Sequence, residues 1–179
     1  LYAKPNDPLE PVVCLDEKPV VLHDDVRSEK PLRPGKPRRP DYEYKRQGTA
    51  NVFCIVAPKI GVHMTHATTD RKSPAFAKAV YEITRQFPDA RKIHLVMDNL
   101  NTHRKAALLK ILPEDLASHL WRKFEVHYTP KHASWLNQAE IEVGIWAREC
   151  MGKRRFGDVE NLSRHTNAWN RDANGAKRT

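Results

Sequence analysis

Two aspartates, Asp16 and Asp98, each directly follow a short apolar run that is typical of a buried β-strand. The runs cover residues 12–15 and 93–97. In an open α/β sheet, functional groups collect beyond the carboxyl ends of the strands. If the two strands are neighbours, the aspartates face each other, and their repulsion is costly unless a metal ion neutralises it. Oxygen ligands of this kind suit Mg²⁺. The alternative is that each aspartate only caps a strand or a turn.

A third carboxylate, Glu140, is predicted to come from a helix. Advancing about 100° per residue from Leu136 places Glu140 on the apolar face of that helix and Glu142 toward the edge of the face. The apolar residues of this face are Leu136, Ala139, Val143, Trp146, Ala147 and Cys150. A carboxylate on a core-facing stripe is costly without a partner, which favours Glu140 as a metal ligand. The alternative is a first-turn glutamate that complements the helix dipole.

Three polar residues fit a crowded site around these carboxylates. Asn99 directly follows Asp98, and His103 opens the next predicted helix. Asn137 lies about one turn before Glu140. All three are therefore candidates for supporting roles, although a capping or solvent-facing role is equally compatible with His103.

The elements that would position these residues form an alternating pattern. Apolar, β-branched segments predict strands at residues 12–15, 49–60, 61–68, 93–97 and 124–128. Helical patterns and proline boundaries predict helices at residues 73–87, 102–112, 114–121, 136–150 and 159–169. The first of these helices is expected to have Ser73 as its N-cap and Pro74 at its first position. Three leading strands followed by alternating helices and strands predict an α/β fold with a mixed sheet flanked by helices.

Composition limits the classes of protein to which the chain can belong. Its 179 residues are 40% hydrophobic and 30% charged, which suits one soluble domain and excludes a wholly disordered chain. No apolar run approaches the roughly 18 residues that a bilayer span needs. The three cysteines (Cys14, Cys54 and Cys150) lie far apart, which disfavours a disulfide scaffold or a zinc knuckle. The nine histidines also lack the paired spacing of a sequence-readable zinc site.

The positive charge of the chain points to nucleic acid. Lys and Arg number 31 against 22 acidic residues, a formal charge of +9. Prolines recur at every third position from Pro31 to Pro40, each preceded by a cation. A polyproline II helix has three residues per turn, so these cations would form one stripe that suits a phosphate backbone. The predicted contact residues are Lys30, Arg33, Lys36, Arg38, Arg39, Lys45 and Arg46. A solvated linker or a ligand for an adaptor domain are the alternatives.

Three strings stand in the same order as in one known family. They are VCLDEK at residues 13–18, VMDNLNTH at 96–103 and YTPKHASWLNQAE at 128–140. With them the chain resembles the catalytic domain of the mariner-type DDE transposases of bacterial insertion sequences. The resemblance covers nearly all of residues 11–157. Each string alone is moderately specific, and the ordered set is strongly specific.

The resemblance implies an RNase H-like fold in which Asp16, Asp98 and Glu140 bind two Mg²⁺ ions, for which Mn²⁺ can substitute. It implies that the domain cuts the ends of a mobile element and joins their 3′-hydroxyls to target DNA. It also implies a homodimer on DNA, in which the loop between the first two strands clasps a second subunit or DNA. Residues 22–47, termed the basic arm below, occupy that position.

The expected organisation is a linker from an N-terminal DNA-binding region (residues 1–10), a catalytic domain (11–170) and a loose tail (171–179). A bacterial cytoplasmic location at the nucleoid is expected, without a membrane partner. Other functions stay open from the sequence: an RNase H-like nuclease or resolvase without strand transfer, an inactive DNA-binding remnant, or a proline-rich interaction protein.

Overall fold

The computed structural model describes residues 1–26, 34–35 and 43–176. Five of the seven predicted contact residues of the basic arm lie outside the described residues, namely Lys30, Arg33, Lys36, Arg38 and Arg39. Among the described helices, none combines the length and the apolar character needed to cross a bilayer.

Five strands form one mixed sheet in the order β3-β2-β1-β4-β5. The strands are β1 (Val12–Asp25), β2 (Tyr44–Ala57), β3 (Val62–Thr68), β4 (Ile93–Met97) and β5 (Phe124–Tyr128). The first three strands are antiparallel neighbours, whereas β4 pairs in parallel with β1, and β5 in parallel with β4. The predicted mixed sheet with three leading strands is therefore confirmed.

The helices lie between and after the last strands. They are α1 (Ser73–Gln86), α2 (Lys105–Leu108), α3 (Glu114–Arg122), α4 (Ala139–Trp146) and α5 (Val159–Gly175). A short 3₁₀ turn (Ser134–Leu136) precedes α4, and a π-helical turn (Ala147–Met151) continues it.

Both faces of the sheet are covered by helices. On one face, strand residues pack with α1, α2 and α3 in a core that includes Leu15, Phe53, Leu95, Phe76, Ile83, Leu108 and Leu120. On the other face, Trp146, Leu162 and Trp169 pack against Val52 and Cys54. Alternate residues of β1 and β2 thus enter opposite cores, as the period of two along a strand requires.

The first two strands extend further than the sequence predicts. β1 continues beyond residue 15 because Val20 and Leu22 keep alternating into the second core. β1 pairs with β4 only as far as Cys14, so one edge of β1 has no neighbouring strand at Pro19. A proline, which lacks the N–H group that would pair there, is tolerated at such an edge. A register shift after Leu22 coincides with Gly48, whose φ of +104° favours glycine. Both ends of the basic arm are consequently strand residues.

Helix boundaries differ from the predictions in four places. Ser73 is the first residue of α1 rather than its N-cap, which is Lys72. The helix predicted for residues 102–112 is regular only over the four residues of α2. The helix predicted from residue 136 begins at Ala139. The tail predicted to be loose from residue 171 is helical as far as Gly175, because Ala173 is buried against the second core.

Candidate active site

Asp16 and Asp98 lie on neighbouring parallel strands. The register pairs Cys14 with Val96 as the last pair between the two strands, and Asp16 and Asp98 each lie two residues beyond it. Asp98 directly follows β4, as predicted. The prediction that Asp16 ends its strand is wrong, because Asp16 lies within β1 and pairs with Cys54 of β2. The aspartate is therefore held on the central strand of the sheet.

Glu140 joins these aspartates from the first turn of α4. The preceding residue, Ala139, is fully buried and packs with Val12, Cys14 and Val96 on the same face of the sheet. This contact sets the start of α4 over the strands that carry the aspartates. The negative charge of Glu140 acts on Asp16, as does that of Asp98. Two of the carboxylates predicted from the sequence thus act electrostatically on the third, Asp16.

The pKa of Asp16 reflects this crowding. Burial raises the pKa most, and the charges of Glu140, Glu17 and Asp98 raise it further, to about 6. The backbone N–H of Glu17 donates to Asp16 Oδ1 at 2.8 Å and opposes the rise. A divalent cation would remove the repulsion that now disfavours the charged form of Asp16. Three carboxylates with only oxygen donors fit a hard cation such as Mg²⁺ or Mn²⁺.

The predicted burial of the two α4 glutamates is reversed. Glu140 was expected on the core-facing stripe, but it is exposed, and Glu142 is 98% buried. The cause is the later start of the helix: with Ala139 at the centre of the buried face, Glu140 lies about 100° away and Glu142 about 60° away on the other side. Leu136, the assumed origin of the stripe, precedes the helix and is exposed. Exposure of Glu140 leaves it accessible to a metal ion.

Glu142 has a structural partner on the sheet. Its Oε1 lies 2.7 Å from Nδ1 of His63 on β3, and both side chains are buried. Burial of a carboxylate is tolerated only with such a partner. Sequence reasoning missed this pair because nothing local links residues of β3 and α4.

Asn137 fixes the start of α4 to the sheet. Its Nδ2 donates to the backbone oxygen of Leu15 at 2.8 Å, and its Oδ1 accepts from the N–H of Ala139 at 3.1 Å. The residue is 99% buried. One side chain thus bridges the residue before Asp16 and the residue before Glu140, which suits the predicted supporting role.

His103 lies between two carboxylates. Its Nε2 is 2.6 Å from Oε1 of Glu17, and its Nδ1 is 2.6 Å from Oδ1 and 3.1 Å from the backbone oxygen of Asp98. Its ring stacks on Phe76 with centroids 4.6 Å apart. Burial lowers the pKa of His103, but the hydrogen bonds to Asp98 and Glu17 outweigh it and raise the pKa to about 10. A protonated His103 donates from Nε2 to Glu17 and from Nδ1 to the backbone oxygen of Asp98, and its charge lies beside the Asp98 carboxylate, so it fixes the position of Asp98.

Glu17 is a member of the site that the sequence analysis did not single out. It lies beside Asp16, but alternation along β1 sends its side chain to the opposite face, toward His103. The only sequence signal is its place in the string at residues 13–18. His103 itself precedes α2 rather than opening a helix, and its backbone oxygen accepts from the hydroxyl of Tyr128 at 2.8 Å.

The remaining predicted residues lie apart from these contacts. Asn99 is exposed beside Asp98. Lys45 and Arg46 are exposed on β2, opposite Asp24 and His23 of β1. They belong to the hairpin that leads into the basic arm.

The order of the five strands and the helices on both faces of the sheet match the RNase H-like fold, which confirms the predicted fold class. The model of the family described as DDE superfamily endonuclease matches residues 11–163, and the chain therefore belongs to that family. No curated protein matches the sequence.

Solved structures of the Mos1 mariner transposase share the fold. The paired-end complex with Mn has a TM-score of 0.60 and 15% identity, covering 92% of this chain and 49% of that chain. The paired-end complex with Mg has a TM-score of 0.61 and 13% identity, covering 94% and 50%. The strand transfer complex has a TM-score of 0.58 and 16% identity, covering 90% and 47%. The chain thus spans about half the length of these Mos1 chains.

Proposed function

We propose that this chain is the catalytic domain of a mariner-type DNA transposase of a bacterial insertion sequence. Asp16, Asp98 and Glu140 are its metal-binding triad. The observation that carries the proposal is that the charges of Asp98, at the end of β4, and of Glu140, at the start of α4, both act on Asp16 of β1. The Mos1 complexes with Mn and with Mg support the use of divalent metal by the fold.

The roles of the protein groups follow from their contacts. Two Mg²⁺ or Mn²⁺ ions would supply activation of water or of a DNA 3′-hydroxyl and neutralise the leaving oxygen. Asp16 supplies a carboxylate in a fixed position, because Cys14, two residues before it, pairs with β2 on one side and with β4 on the other. His103 and Glu17 hold Asp98 in place. Asn137 holds the turn that presents Glu140. The reaction needs no protein nucleophile.

DNA is the proposed partner, both as transposon ends and as target. The formal charge of +9 supports attraction of the phosphate backbone. We propose that the basic arm contacts DNA or a second subunit. The β1–β2 hairpin that carries the arm continues past the residues of β1 that pair with β4, and Lys45 and Arg46 are exposed on this hairpin. A homodimer on DNA would then bring two active sites to two ends.

Residues 1–10 suit a linker from an N-terminal DNA-binding region. The hydroxyl of Tyr2 donates to the backbone oxygen of Leu136 at 2.9 Å and lies 3.2 Å from Sγ of Cys14. Lys59 Nζ lies 3.2 Å from the backbone oxygen of Leu1. A linker held in this way would deliver bound DNA toward the turn that carries Glu140.

The decisive assay separates cutting from joining. The purified chain is given a labelled duplex with the element's terminal sequence and a supercoiled target plasmid, with Mg²⁺ or Mn²⁺. We expect metal-dependent cleavage and covalent joining of the labelled 3′-end to the plasmid. Asp98→Asn should lower both by at least about a thousandfold, because several kcal/mol of transition-state stabilisation are lost. The matched control, Asp115→Asn on the exposed first turn of α3, should match the wild type.

The other outcomes identify the alternatives. Cleavage without joining would indicate an RNase H-like nuclease or resolvase. DNA binding without metal-dependent cleavage would indicate an inactive remnant. Full joining by Asp98→Asn would refute the triad.

A further inference from the structure

A second group of potential metal ligands lies on β4 and β5, apart from the carboxylate triad. The two strands are parallel neighbours, and the register pairs His94 with Glu125 and Val96 with His127. Ile93 and Leu95 enter the core under α1, so alternation directs His94 to the opposite face of the sheet. His94, Glu125 and His127 meet on that face.

The three donor atoms form a compact triangle with one shorter side. Nδ1 of His94 lies 3.0 Å from Nε2 of His127. Oε1 of Glu125 lies 3.7 Å from the first of these nitrogens and 3.6 Å from the second. Each side chain thus directs a single atom toward the donor atoms of the other two side chains. The side chains are 15%, 35% and 53% exposed for His94, His127 and Glu125, so an ion can reach them from solvent.

We propose that His94, Glu125 and His127 bind a transition-metal ion of the Zn²⁺ class. Zinc bonds to imidazole nitrogen and carboxylate oxygen are about 2.0–2.2 Å long, which separates tetrahedral ligands by about 3.3–3.6 Å. The three observed distances of 3.0–3.7 Å span this range, so small side-chain movements would bring the donor atoms to tetrahedral spacing around one ion. Imidazole donors favour Zn²⁺ over Mg²⁺, which distinguishes this site chemically from the triad.

The surroundings of His94 suit a metal ligand. The other nitrogen of His94, Nε2, lies 3.8 Å from Oε2 of Glu10. A carboxylate beside the free ring nitrogen is the usual way in which proteins orient a metal-binding histidine.

The site is distinct from the catalytic centre but mechanically connected to it. Asp98 lies four residues beyond His94, about 13 Å along the strand. An ion here would tie β5, the edge strand of the sheet, to β4. β5 leads into the segment that carries Asn137 and Glu140, so we assign the ion a structural role. The sequence does not reveal the site, because the two histidines are 33 residues apart and on different strands.

Zinc titration of the whole chain tests this site. The protein is stripped with EDTA, transferred to buffer with excess MgCl₂ and titrated with ZnCl₂ by calorimetry. We expect one Zn²⁺ per chain, and at least about tenfold weaker binding in His127→Gln and Glu125→Gln. The matched control is His119→Gln, which removes an exposed histidine of α3 and should bind like the wild type. Circular dichroism checks that each variant is folded.

A further variant separates this site from the triad. Asp98→Asn should keep the zinc stoichiometry and affinity of the wild type. Zinc binding that is lost in Asp98→Asn but kept in His127→Gln would overturn the proposal. So would the lack of stoichiometric zinc binding by the wild-type chain. In either case, the 3.0 Å contact would be an ordinary hydrogen bond between two imidazoles.

Discussion

The side-chain amide of Asn137 donates to the backbone oxygen of Leu15 at 2.8 Å, and so ties the turn before Glu140 to the residue before Asp16. Two catalytic candidates more than a hundred residues apart are thereby positioned by one buried side chain. The relationship predicts that Asn137 controls the geometry of the site.

Asn137→Ala should weaken both the fold and the site. Loss of the amide leaves a buried carbonyl and a buried N–H without their partner, at a cost of about 1–3 kcal/mol. Urea unfolding measures this cost, and Mn²⁺ titration measures the loss of metal affinity. Asn137→Asp keeps the acceptor for Ala139 but buries a carboxylate against the carbonyl oxygen of Leu15, so at neutral pH it should be at least as destabilising as alanine. Unchanged metal affinity in both variants would contradict the positioning role.

Glu140 and Glu142 should respond oppositely to the same substitution. Glu142→Ala breaks a buried pair with His63 and should cost about 3–5 kcal/mol of unfolding free energy. Glu140→Ala changes an exposed side chain and should alter stability by less than about 0.5 kcal/mol, while abolishing metal-dependent cleavage. Chemical unfolding and a cleavage assay on both variants check the contrast. A stable, fully active Glu140→Ala protein would exclude Glu140 from the site.

The two glutamates also show where the sequence is informative about the site. Asp98 could be placed because a run of apolar residues predicts the strand and its end. The fold class followed from the order of strands and helices. The burial of Glu140 and Glu142 could not be predicted, because it depends on where α4 begins, and tertiary contacts of Asn137 and Ala139 set that point. Glu17 was missed because its partner, His103, comes from a distant segment.

Metal-free Asp16→Asn should be more stable than the wild type at pH 7.5. The pKa of Asp16 is raised to about 6 from 3.8, so the folded chain binds the proton more tightly than the unfolded chain. The charged form therefore opposes folding, and this cost grows as the pH rises from about 4 to 6 and persists above it. Urea unfolding in EDTA at pH 4.5 and 7.5 measures the effect, with Asp115→Asn as the control. If Asp16→Asn lowered the unfolding free energy equally at pH 4.5 and 7.5, the charge of Asp16 would not oppose folding.

His103 should give stability with the opposite pH dependence. Its pKa is about 10 in the folded chain against 6.5 for an ordinary histidine, so its contribution is complete below about pH 6.5 and disappears as the pH rises through 10. Compared with His103→Gln, the metal-free wild type should lose its stability advantage between pH 6.5 and 10. Unfolding free energies of both proteins across this range give the difference. A constant difference would mean that His103 is not protonated between Glu17 and Asp98.

Mn²⁺ binding followed by electron paramagnetic resonance tests the central claim most directly, because it needs neither DNA nor turnover. The wild-type chain should bind Mn²⁺, and Asp16→Asn, Asp98→Asn and Glu140→Gln should each lose at least about tenfold in affinity, whereas Asp115→Asn should bind as the wild type does. Wild-type affinity in any one of the three triad variants would show that its carboxylate is not a metal ligand. Wild-type affinity in all three would contradict the proposed active site.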